Sequence, residues 1–170
     1  MNARVARLAG GACALVAGAT ASGAFAAAPV PVEPGGPDMP AATASLSSTT
    51  AGAKPVALTV TVHYEMICGQ PGPGTAVVTL PTAASVPSSI AASSVLVNGR
   101  TAPAVAVKGH DIAVTLPTHR GVTCLVVGPG TLRLDLTRAA GIGNPRAAGT
   151  YMIHVRRNSL AFAAPVRISS

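Results

Sequence analysis

The chain contains no tryptophan, and its 170 residues include only four other aromatic side chains: Phe25, Tyr64, Tyr151 and Phe162. Single-stranded nucleic acid and glycan sites are commonly built on aromatic platforms, so this scarcity argues against both. Any core must be aliphatic. Acidic residues are equally sparse: beyond Glu33 and Asp38 in the N-terminal stretch there are only Glu65, Asp111 and Asp135. Three acids are a thin supply for the paired carboxylates of glycoside hydrolysis. There is no Gly-x-Ser-x-Gly for a serine nucleophile, and Ser88-Ser89 has no neighbouring base in sequence. No Cys-x-x-Cys, His-x-His or His-Glu-x-x-His is present. An enzyme is therefore not expected, and no cofactor is implied.

What is present begins with a leader. Arg4 and Arg7 precede the apolar, Gly/Ala-rich stretch Leu8 to Ala21, and Ala24-Phe25-Ala26 has the small-x-small form of a cleavage site. Residues 1–26 thus read as a secretory signal peptide. Cys13 lies too early for a lipobox and lacks its preceding large aliphatic. No stop-transfer pattern follows, so no stable membrane insertion is expected after cleavage. Residues 27–54 are rich in Pro, Ala, Ser and Thr, and read as a disordered linker. Residues 55–170 form the predicted domain, large enough to fold alone as a monomer. The formal charge is +7; without Arg4 and Arg7 ten basic residues face five acidic ones. The cations are mainly single arginines, which form either a solvated surface or one suited to an anionic envelope polymer or an acidic protein.

The domain is organised around Ser94 to Pro117. Val95 to Val97 ends at Asn98-Gly99, a dipeptide suited to a two-residue hairpin turn because both residues tolerate positive φ. Val105 and Val107 precede the turn Lys108 to Asp111, after which Ile112, Val114 and Leu116 alternate with Ala113 and Thr115. Upstream, Pro55 to Met66 places Val56, Leu58, Val60, Val62, Tyr64 and Met66 on one face of a long strand. Further strands are predicted over Thr75 to Leu80, Gly121 to Val127, Thr131 to Thr137 and Tyr151 to Arg156. Phe162 to Ile168 is either a last strand or a loosely paired tail. About eight to ten short strands with turn signals between them predict an all-β fold, an antiparallel β-sandwich. Val78 to Thr82 recurs as Val114 to Thr118, two equivalent strand exits with proline where no ladder donor is needed.

Several segments together resemble Ig-like, adhesin-type modules of bacterial secreted and cell-surface proteins. They are Val86 to Ile90, Ser94 to Gly99, Val114 to Pro117, Ala140 to Pro145 and Ala148 to Tyr151, and the resemblance covers most of residues 75–157. It implies a non-enzymatic structural or binding unit, secreted or held in the cell envelope, that acts by protein or polymer contact. Edge strands and loops such as Ala139 to Gly149 would supply the contact. The chain departs from the pattern in having one copy, no wall-sorting signal and two extra cysteines.

Those cysteines, Cys68 and Cys124, are the pair left after leader removal, and in an oxidising compartment an even pair reads as a disulfide. Four histidines (His63, His110, His119, His154) allow an alternative, a small secreted metal or ligand carrier. His63 and His154 would meet across strands with Glu65. A Lys–Asn crosslink, as some Ig-like domains form, would need Lys54 or Lys108 beside Asn144 or Asn158 with an acid.

Overall fold

A computed structural model describes residues 42–66, 70–71, 74–118, 122–123 and 128–170, with the backbone alone for 64–66, 70–71, 122–123 and 128–129. The strands in chain order are β1 (Ala42–Leu46), β2 (Leu58–Met66), β3 (Gln70–Pro71), β4 (Thr75–Thr79), β5 (Val95–Val97), β6 (Arg100–Thr101), β7 (Val105–Lys108), β8 (Asp111–Thr115), β9 (Val122–Thr123), β10 (Gly128–Leu136), β11 (Gly149–Arg157) and β12 (Leu160–Ile168). One five-stranded sheet has the order β1-β2-β10-β5-β6 and the other β12-β11-β4-β8-β7; β3 and β9 form a separate pair. Every pairing between these strands is antiparallel. The chain is thus an all-β sandwich, as its alternation predicts.

Period-two patterning builds the interior. Leu58, Val60 and Val62 of β2 are at most 1% exposed, while Thr59, Thr61 and His63 point outward. Leu132, Leu134 and Leu136 of β10 face the same core, opposite Val78, Ile112, Val114, Ile153 and Val155 from the other sheet. Among the described residues Phe162 is the one aromatic fully within this cluster, which is otherwise aliphatic.

Two-residue turns close three hairpins, each with a positive φ where glycine or asparagine stands: Asn98-Gly99 (49° and 78°), Gly109-His110 (61° at the glycine) and Asn158-Ser159 (52° at the asparagine). Asn98 also carries the ladder past the end of β5. Its Oδ1 accepts from the Arg133 amide (2.7 Å) and its Nδ2 donates to the Thr131 carbonyl (3.1 Å). Edges are blunted. β6 has two residues, β7 ends in Lys108, and β12 carries Pro165 and Arg167.

Three expectations need correction. Residues 42–54, assigned to the linker, belong to the sandwich: β1 pairs with β2 along its whole length. Its Ala42, Ala44 and Leu46 alternate inward, a period-two signal hidden by alanine. The chain then forms a strap. Ser169 donates its amide to the Thr49 carbonyl (2.7 Å) and accepts from the Ala51 amide (2.8 Å), while Asn144 Nδ2 donates to the carbonyls of Ser48 (2.9 Å) and Thr50 (2.8 Å). Second, the Asn98-Gly99 turn joins Val95–Val97 to the short strand β6 and not to the Val105 strand, so the stretch holds four strands, not three. After β6 the chain crosses over at Ala102–Ala104, so β5 and β7 lie in different sheets. Third, only part of the Ala139 to Gly149 loop is open to solvent. Ala140 and residues 142–145 are buried, the latter bonded to the strap, Ser85 and Val56, leaving Ala139 and residues 146–149 exposed. The last strand is a full nine-residue element rather than a loose tail. Tyr151 steadies the entry to β11 by donating its hydroxyl to the Ala147 carbonyl (3.0 Å).

Candidate contact surface

The residues proposed for metal chemistry are not assembled. His63 stands on the outer face of the β2 sheet, its Nδ1 3.1 Å from Thr131 Oγ1. His154 is exposed on the outer face of the β11 sheet, on the other side of the sandwich. A single ion needs both imidazoles about 2 Å away, which two opposed faces cannot provide. The carrier reading built on this pair is therefore not supported. His110 lies in the β7–β8 turn, and His119 is outside the described residues. Among the described residues no three His, Cys, Asp or Glu side chains gather as a metal site.

The acids are separated as well. Asp111 of β8 accepts from Thr79 Oγ1 directly across the ladder (2.6 Å). Asp135 of β10 accepts from Thr59 Oγ1 (2.6 Å) and from Arg133 Nε through both oxygens (3.0 Å each). These equivalent threonine–aspartate pairs lie one in each sheet, so the carboxylates face apart. The Glu65 side chain, Cys68 and Cys124 fall outside the described positions. Ser88-Ser89 is exposed. For the crosslink, Lys54 Nζ donates to Ser85 Oγ (2.9 Å) and the Asn144 amide is engaged by the strap carbonyls. Neither described aspartate joins them.

The surface offers cations instead. Arg100, Lys108, Arg138, Arg146, Arg156 and Arg167 are exposed, and their side chains have no ion-pair or hydrogen-bond partner among the described residues. Arg133–Asp135 is the single ion pair among the described residues. Arg157 differs in pointing inward, at 8% exposure. The distribution of cations along the chain is uneven. After Asp135 there is no acidic side chain, although Arg138, Arg146, Arg156, Arg157 and Arg167 all follow it. The signal was simple: the position of the last acid.

No protein-family model matches the chain. No curated protein matches it either. Among solved structures it is similar to BslA, described as a bacterial hydrophobin, at 20% identity over 77% of this chain and 97% of that one, with a TM-score of 0.47. It is also similar to the N-terminal domain of the Streptococcus gordonii adhesin Sgo0707, at 10% identity over 75% of this chain and 32% of that one, with a TM-score of 0.48. At these scores nothing that those proteins do carries over to this chain.

Proposed function

We propose that this is a secreted, non-enzymatic binding module of the cell envelope or extracellular space, monomeric, whose partner is an anionic envelope polymer. The carrying observation is the set of exposed cations with no ion-pair partner among the described residues, presented on a blunt-edged, aliphatic-cored sandwich. Neutralising unpaired cations with a polymer's repeated anionic groups gains Coulomb energy without breaking internal ion pairs. The leader-like first 26 residues support an exported setting. An acidic protein is the related partner class, distinguished by using compact rather than repeating charge.

The test is retention of the purified protein on an immobilised phosphate-bearing polyanion, with neutral dextran as control, across a salt series. Retention at low salt that falls steadily with added salt is expected. Equal retention on both supports, or none on either, refutes the reading.

A further inference from the structure

The β-ladder register places two of the exposed arginines on one face. On the outer face of the second sheet, β12 and β11 place Ala161 opposite Arg156, Ala163 opposite His154, Pro165 opposite Met152, and Arg167 opposite Thr150. The next strand continues two of these rows with Val77 beside Arg156 and Thr79 beside His154. Across β12, β11 and β4 this face has no acidic side chain. The nearest described carboxylate on it, Asp111, lies one strand further on and is occupied by Thr79. Arg156, His154 and Arg167 are all exposed, and the positions between and beside them are small or apolar.

These positions form a line. From the Thr150–Arg167 row to Arg156 is six residues of β11, about 20 Å at roughly 3.4 Å per residue, with His154 between. An exposed ribbon with an arginine near each end and His154 between them suits an extended chain bearing an anion on each repeat. A compact acidic surface would touch only one or two of these points. The flanking alanines and Pro165 leave the guanidinium groups unshielded by larger neighbours.

Resting on the reading that the partner is a polyanion, we propose that the outer face of the β11–β12 hairpin is its binding site, and that Arg156 and Arg167 hold two separate anionic groups, several repeats apart, of a linear polymer laid along the strands. The probe is long-chain inorganic polyphosphate, bound by the purified full-length protein at low salt. R156E/R167E is compared with R100E/R138E, an equal charge change away from this face. Melting curves check that all variants remain folded, as exposed substitutions allow. The hairpin variant is expected to bind at least about tenfold more weakly than the control variant, from about 1 kcal/mol per lost cation at an anionic surface. Its slope of log affinity against log salt should flatten by about 1.4, near 0.7 per lost contact. R156K/R167K should retain most of the binding.

Equal losses in both variants would overturn the hairpin assignment while leaving polyanion binding in place. Absence of binding by the parent protein would overturn both. Tighter binding to anionic phospholipid vesicles than to polyphosphate, lost in the same hairpin variant, would overturn the linear polymer in favour of a membrane surface.

Discussion

Asn144 ties the strap to the body of the sandwich. It is 5% exposed, and its amide donates to two carbonyls of the strap, at Ser48 and Thr50, while its backbone amide donates to Ala53. Asn144→Ala deletes both side-chain bonds. At about 1 kcal/mol net for each, and with added void beside an existing cavity of about 20 Å³ that Asn144 lines with Leu46, Val56 and Ile168, the expected loss is about 2–3 kcal/mol. That corresponds to a fall in melting temperature of roughly 8–12 °C. Asn144→Asp is harsher at neutral pH because it turns a carboxylate toward two carbonyl oxygens. Burial raises that carboxyl's pKa in the folded state above its unfolded value near 3.9. The folded variant then binds more protons than the unfolded chain, so its stability relative to the parent is greatest at acid pH. It falls as pH rises from about 4 through the folded pKa. Urea denaturation of parent and both variants at several pH values measures this. Asn144→Ala within about 0.5 kcal/mol of the parent, or Asn144→Asp with the parent's pH dependence, would refute the role assigned to the strap.

Other parts of the molecule give simpler expectations. Leu134→Ala, in a fully buried position on β10, should cost about 3–5 kcal/mol in chemical denaturation, and a loss below 1 kcal/mol would contradict the packing. Gly99→Ala meets no atom within 4 Å of the new Cβ but must hold φ at +78°; a loss of about 1 kcal/mol measures backbone strain alone, and none would contradict the turn assignment. Cys68 and Cys124 lie in sequence between residues that are ladder partners, Met66 with Gly128 and Gln70 with Thr123. We therefore expect the bridge: intact mass should rise by two hydrogens on reduction, with stability lower by about 4 kcal/mol, and free thiols in protein recovered under oxidising conditions would refute it.

The legibility of this fold in its sequence followed side-chain size. Where large aliphatics alternate, as in Leu58 to Val62 and Leu132 to Leu136, period two was plain and the strands lie where expected. Where alanine carries the alternation, as in β1, the signal faded, because a methyl group contributes little burial and the strand is held mainly by its backbone ladder. Sheet membership was not legible. The crossover after Thr101 depends on burial of Ala102 against the rest of the core, which no local pattern encodes. For the site, single residues such as His63 and His154 suggested chemistry by type, yet their strands occupy different sheets. The acid-free segment after Asp135 was visible in the chain, but its meaning depended on β11 and β12 pairing to bring Arg156 and Arg167 onto one face.

The most direct measurement is the affinity of the purified protein for polyphosphate as a function of salt. The account predicts binding at low salt and a log–log slope steeper than about −1.4, two or more phosphate contacts at about 0.7 each. Affinity that does not change with salt, or no binding at the lowest salt, would contradict it.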